Sequence, residues 1–297
     1  MIRRVKYNEI DFEKFTTCLE NSEQRKYSAT KKFLDITSDQ QWELLVFDDY
    51  QAVMPIPFIT KFGVKLVVNP RLCQQLGIFS HKDEIEINNK FLDFLLKNYI
   101  VWHYAFNDAN HFTQNLKKRK NFLIYPENYE AVRQRYSPKR KRKLRLDPDV
   151  AANSQIKFIS FKDAEEFIIK HSIGARDADD TMKFLKIFDT LDEAGLLQVV
   201  AFTYKKEIIN VLALYSDHHT IALLGTFNDK KYIKFSGSSI LIDHIISKNI
   251  ESKIFDFEGS EVPSVQEFFT GFRPILKEYP IINNSKKDML KRFLRLK

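Results

Sequence analysis

The sequence predicts an α/β chain made of two similar halves, each built on a mixed sheet. Three observations lead there. Strand-like apolar runs alternate with helical periods along nearly the whole length. The order strand, polar turn, strand, followed later by a helix and an aromatic strand, occurs once in each half. A polar, strongly basic stretch separates the two occurrences.

Bulk properties agree. A chain of 297 residues is long enough for two domains. Hydrophobic residues make up 44%, which supports packed cores and argues against a disordered chain. No apolar region follows the charges of Met1-Ile2-Arg3-Arg4, and no run is long enough for a membrane span. The two cysteines, Cys18 and Cys73, have no metal-type spacing, so a reducing cytoplasm is expected and a metal site is not. The formal charge of +8 is concentrated in residues 117–120 (Lys-Lys-Arg-Lys) and 139–145 (Lys-Arg-Lys-Arg-Lys-Leu-Arg). The rest of the chain is slightly acidic, so the basicity points to an anionic partner at a particular place, with a solvated helix face and turn as the alternative.

Residues 11–20 read as an amphipathic helix with Phe12, Phe15 and Leu19 on one side, and residues 30–36 as a second helix. Residues 42–47 are an apolar strand, 48–50 a turn, and 51–58 a strand that Pro55 and Pro57 make irregular or place at an edge. A third strand follows over 65–68, a helix over 88–98 and a buried strand over 100–106. Residues 128–150 form a basic connector, helical up to Leu146. Ser137-Pro138 has the form of an N-cap and first helical residue, and Asp147-Pro148-Asp149 would end the helix.

The second half has a strand over 157–160 and helices over 162–171 and 181–194, the latter closed by Gly195. A hairpin of 197–203 and 207–215 comes next, then a strand over 219–226, a helix over 238–248 and a strand over 253–257. A short helix over 265–269 and a strand over 275–282 complete it. The expected division is an N-terminal domain of 1–127, the connector of 128–150 and a C-terminal domain of 151–297.

Two segments carry chemistry. Lys234-Phe235-Ser236-Gly237-Ser238-Ser239 stands directly before a helix. Its small residues let the chain approach a phosphate, and a helix start offers free N–H groups and a positive dipole end. An ordinary Ser-capped helix is the alternative. In the strand ending Phe255-Asp256-Phe257-Glu258, the two acids share a face opposite the two rings. They suit deprotonation or orientation of an amine, or a capping or salt-bridging pair.

The order of elements resembles the GNAT acyltransferase fold. The phosphate loop of that superfamily reads Gln/Arg-x-x-Gly-x-Gly/Ala; here Lys234 and Ser239 replace its ends and Gly237 matches. Phe255-Asp256-Phe257-Glu258-Gly259-Ser260, with Phe268-Phe269, Gly271-Phe272 and Lys277-Glu278-Tyr279, resembles the C-terminal signature of the Fem family, whose members have two GNAT-like domains and transfer amino acids from aminoacyl-tRNA onto peptidoglycan cross-bridges. The resemblance covers about residues 42–282. It lacks the long helical arm common in Fem enzymes. It implies tandem GNAT-like domains and transfer of an acyl or aminoacyl group, from acyl-CoA or aminoacyl-tRNA, to an amine such as that of a cell-wall precursor. It also implies a donor site at Lys234, Gly237, Ser238 and Ser239, and backbone contacts to the acyl chain at Phe227 and Asn228. Asp256 and Glu258 would serve the amine, and Tyr232 would protonate the leaving group. A non-catalytic RNA-binding or scaffold protein that uses only the basic segments is the alternative function.

Overall fold

The computed structural model describes residues 1–61, 63–172 and 178–296. Contacts divide the chain into two units, residues 1–119 with 278–297, and residues 120–277. The first unit begins with β1 (Ile2–Val5), α1 (Phe12–Glu20), α2 (Lys31–Ser38), β2 (Trp42–Phe47), β3 (Ala52–Lys61), β4 (Val64–Val68) and the short β5 (Phe79–Ser80). Next come α3 (Ile85–Asn98) and β6 (Ile100–Ala105), and then β7 (Lys117–Ile124), whose residues from Lys120 onward belong to the second unit. The second unit continues with α4 (Tyr129–Arg135), α5 (Pro138–Lys143), α6 (Pro148–Asn153), β8 (Ser154–Ile159), α7 (Phe161–His171) and α8 (Ala178–Glu193). It ends with β9 (Leu197–Tyr204), β10 (Glu207–Ser216), β11 (Thr220–Asn228), α9 (Gly237–Asn249), β12 (Ile254–Asp256) and α10 (Pro263–Thr270). The chain closes with β13 (Ile275–Asn283), which from Glu278 onward belongs to the first unit, and α11 (Lys286–Leu296).

The two units share one strand plan. In the first, β1, β2, β3 and β4 are antiparallel neighbours, β6 lies parallel to β4, and β13 pairs antiparallel with β6. In the second, β8, β9, β10 and β11 are antiparallel, β12 lies parallel to β11, and β7 pairs antiparallel with β12. Each parallel pair needs a crossover, and α3 and α9 supply them. The repeat legible in the sequence is therefore a repeat of pairing. The sixth strand of each plan comes from the segment that follows the other unit's elements in sequence.

Helix starts and buried faces follow local chemistry. Asp11 caps α1 by accepting from the Lys14 N–H at 3.1 Å, and Phe15 and Leu19, one turn apart, are buried. In α9, Leu241, Ile242, Ile245 and Ile246 are fully buried against Val200, Phe202, Leu212 and Leu214 of the strands. The burial of each such side chain stabilises the unit by about 1.5–3 kcal/mol.

Four sequence expectations are corrected. β3 is an interior strand: β5 covers Ala52 and Val53 on one side and β4 covers residues 58–61, while β2 pairs with residues 52–57. Pro55 and Pro57 fall in the stretch between β5 and β4, where a missing N–H is tolerated. Helix α3 begins at Ile85 rather than 88. The connector is broken rather than a continuous helix, because Pro138 cannot sit inside a helix and instead starts α5 behind its Ser137 cap. Asp147-Pro148 likewise starts α6, with the Asp147 carboxylate accepting from the Asp149 N–H at 3.0 Å. Lys117–Lys120 lie in β7, which periodicity does not reveal. No helix among the described residues is long and apolar enough to cross a membrane.

Candidate functional site

In the second unit, β12 pairs with β11 only over Thr220, Ile221 and Ala222. Beyond Ala222, residues 223 and 225–228 of β11 keep their β10 partners, Leu224 being the extra residue of a bulge, but have no β12 residue beside them, so the parallel strands part. The β10–β11 register shifts between Ala213 and Leu214, which bulges β11 where the parting begins. The result is a length of free strand edge ending at Phe227 and Asn228. In the first unit the parallel register of β4 with β6 continues to Val68, the last residue of β4.

A 3-10 turn over Lys230–Phe235 follows β11 and leads to Ser236 in the left-handed region (φ 59°, ψ 29°), which turns the chain into α9. Gly237 opens the helix because nothing larger fits: a Cβ there would lie 1.8 Å from Asn210 Oδ1 and 2.9 Å from Phe202 Cδ1. Asn210, 3% exposed, donates from Nδ2 to Asn228 Oδ1 at 2.7 Å, and the Ser238 hydroxyl donates to the same oxygen. The end of β11 is thereby tied to the first turn of α9. As at any helix start, the N–H groups of Gly237 and Ser238 have no carbonyl of their own helix to reach. The loop before α9 carries Lys230, Lys231 and Lys234, whereas Asp83, Glu84 and Glu86 surround the start of the equivalent α3. An anion is favoured at α9 and disfavoured at α3.

A cavity of about 520 Å³ opens beside this loop, lined by Lys234, Phe235 and Ser236 and, from the connector, by the cations Arg142, Lys143 and Arg145 and the acids Asp147 and Asp149. Phe235 belongs to a ring cluster with Tyr204 and Tyr232, at centroid distances of 4.9 Å and 5.5 Å. The connector is held to α9 by a polar strip four residues apart on one helix face. Tyr129 Oη donates to both Asp243 oxygens at 3.1 Å, and Arg140 donates to the Ser239 hydroxyl. Burial raises the Asp243 carboxyl above the usual range and pushes the Tyr129 hydroxyl up to about 12, with the Asp243 charge adding to the latter.

Lys234, Gly237, Ser238 and Asn228 are brought together at the end of β11. Phe227 is next to Asn228 on the free edge. Ser239 is buried and holds Arg140. Asp256 is opposite Ala222, about 20 Å along β11 from Asn228 at the usual rise per residue. It is 1% exposed, and its Oδ1 accepts from the Glu258 N–H at 2.8 Å. Glu258 has a left-handed φ of 59° where the chain leaves β12. Phe255 and Phe257 enter the core on the opposite face. Tyr232 is on the loop and donates to the Glu207 carboxylate at 3.3 Å, so it stands with the cations and not with the two acids. Sequence reasoning missed Asn210 and Arg140. A lone Asn within the apolar run Ile208-Ile209-Asn210-Val211-Leu212 was the available signal for the first; a basic run offers none for the second.

Among solved structures, FemX is similar with a TM-score of 0.66 at 10% identity, over 93% of this chain and 96% of FemX. The fold is that of Fem-type tandem GNAT proteins. A tandem GNAT protein from the clavulanic acid biosynthesis pathway is also similar, with a TM-score of 0.53 at 7% identity over 95% of this chain and 97% of that one. A conserved protein of unknown function from Bacteroides thetaiotaomicron is similar as well, with a TM-score of 0.56 at 10% identity over 96% of this chain and all of that one. No protein-family model and no curated protein matches the chain by sequence.

Proposed function

We propose that the protein transfers an acyl or aminoacyl group from an anionic carrier, acyl-CoA or aminoacyl-tRNA, to an amine. The observation that carries this reading is that the start of α9 adjoins, through Ser236, a cavity in which Lys234, Arg142, Lys143 and Arg145 outnumber Asp147 and Asp149, while Asn228 at the end of the free β11 edge is hydrogen-bonded to Ser238 in the first turn of α9. Phosphates of the carrier are held by Lys234 and the N–H groups of Gly237 and Ser238, with Ser239 behind them in the same turn. The extended arm of the carrier runs along residues 223–228, hydrogen-bonded by the backbone near Phe227 and Asn228. Its reactive end then reaches the end of β12, where Asp256 and Glu258 serve the acceptor.

A neutral amine attacks the carbonyl carbon, a C–N bond forms, and the bond from that carbon to the thioester sulfur or ribose oxygen breaks. The proton lost by the amine passes to the carboxylate pair, and the leaving group leaves as thiol or hydroxyl after protonation from solvent. Tyr232 acts at the anionic end of the donor with Tyr204 and Phe235, since it is remote from the acids along β11. Positioning and stabilisation of the developing oxyanion supply most of the rate. The Fem-type fold supports an acceptor amine of the cell-wall precursor class, modified in the cytoplasm.

Calorimetric titration of the protein with a CoA thioester and with aminoacyl-tRNA, at low and moderate salt, tests the reading. Saturable binding of one of the two, with transfer to an added amine, is the expected result. Binding of neither overturns it; binding of RNA without any transfer would favour a non-catalytic RNA-binding protein.

A further inference from the structure

Arg140 is the one member of the basic run 139–145 that is fully withdrawn from solvent, at 6% exposed. It sits in the middle of α5, whose last two residues, Arg142 and Lys143, line the cavity. One guanidinium nitrogen donates to the Ser239 hydroxyl in the first turn of α9, and the other donates to the Phe268 carbonyl of α10 at 2.6 Å. The guanidinium carbon lies 4.2 Å from the centroids of both the Phe268 and the Phe272 rings. A Cβ on Gly271 would come within 3.1 Å of Arg140 Nε and Nη2, so glycine at 271 leaves room for the guanidinium. Around this centre, the Ser137 N–H bonds to the Gly271 carbonyl at 3.0 Å and Lys139 pairs with Glu267 at 2.8 Å.

We propose that Arg140 is a positioning residue that pins α5 to α9 and α10 and thereby sets the basic wall of the donor cavity. Arg142, Lys143 and Arg145 follow it within five residues and line that cavity, whereas Arg140 itself faces away into the core. Leu144 and Leu146 pack on the same core and give the wall a second hold. Without an anchor, a segment with this density of like charge would repel itself and extend into solvent. The guanidinium suits the task because its planar fork reaches two helices at once and stacks on two rings, which an ammonium cannot do. Its positive charge, buried one turn behind the start of α9, also adds to the field that favours an anion there.

This inference rests on the cavity being the donor site, and the test separates the two. Arg140→Met and Arg140→Lys are compared with the unaltered protein by thermal melting, by backbone amide exchange over residues 138–147, and by titration with CoA and inorganic pyrophosphate. Methionine keeps the apolar contacts, and replacing a buried charge by an apolar side chain leaves many proteins folded. Expected is a folded Arg140→Met protein in which exchange over 138–147 speeds up by about tenfold or more, as for the loss of one charge-assisted hydrogen bond, and CoA affinity falls by about as much. Arg140→Lys should recover part of the affinity. Unchanged exchange over 138–147, or faster exchange with unchanged affinity, overturns the positioning role. If the unaltered protein binds neither CoA nor pyrophosphate while exchange still responds to Arg140→Met, the CoA reading of the cavity fails and the anchoring of α5 stands; tRNA titration of the same variants then decides whether that anchoring serves binding.

Discussion

The carboxamide of Asn210 occupies the space that any side chain at position 237 would need: a Cβ on Gly237 would fall 1.8 Å from Asn210 Oδ1. Gly237 thus serves the packing of α9 against the sheet as well as the proposed phosphate site. Gly237→Ala should destabilise the protein by about 1–3 kcal/mol through overpacking, and Gly237→Val by more. Chemical denaturation of Gly237→Ala, Asn210→Ala and the double variant checks this. The double variant should be less destabilised than the two single effects added together; strict additivity would remove the contact as the cause.

The cavity cations should act through charge. Gln at Arg142, Arg145 and Lys234 together leaves the packing of Arg140 intact and removes three positive groups from the cavity lining. For a tRNA donor, the slope of log affinity against log salt concentration should flatten by roughly two units, given about 0.7–0.9 per phosphate contact. For a CoA donor, affinity should fall at low salt while tRNA association is absent throughout. Unaltered affinity for both ligands in the triple variant would remove the cavity from the donor site.

Asp256→Asn keeps an oxygen that can accept from the Glu258 N–H and removes the charge. It should melt close to the unaltered protein and transfer at least about 100-fold more slowly if the carboxylate takes the amine proton. Asp256→Ala also loses the hydrogen bond, and should cost about 1 kcal/mol of stability. Transfer at full rate in both Asp256→Asn and Glu258→Gln would make the pair purely structural, with Asp256 supporting the left-handed Glu258.

Asp243 links stability to pH. Burial raises its carboxyl in the folded protein, so the folded state holds the proton at a pH where the unfolded chain has released it. This contribution to stability is therefore greatest below the unfolded value and is lost as pH rises through the raised, folded one. Asp243→Asn cannot titrate. The stability of the unaltered protein minus that of Asp243→Asn should decline as pH is raised from below the ordinary aspartate value through the raised, folded one. Denaturation curves at several pH values measure the difference; a constant value across the range would show that Asp243 has the same affinity for protons folded and unfolded.

Local chemistry determined much of this protein. Ser137-Pro138 is a local helix start, since the serine hydroxyl accepts from the Arg140 N–H and proline lacks the N–H that a helix interior needs. The apolar periods of α1, α3 and α9, the hairpin of β9 and β10, and the small residues at 236–239 are short-range signals of the same kind. Tertiary structure decided the rest. That β7 completes the β12 edge and β13 the β6 edge depends on backbone hydrogen bonds between segments far apart in sequence, and no side-chain period encodes a partner. That Lys234 shares a cavity with Arg142 and Arg145 follows from how α5 packs on α9. Arg140 looks no different in sequence from its basic neighbours. It is buried because Phe268, Phe272, Gly271 and Ser239, from two other helices and the turn that follows one of them, supply the rings, the room and the acceptor that a desolvated guanidinium requires.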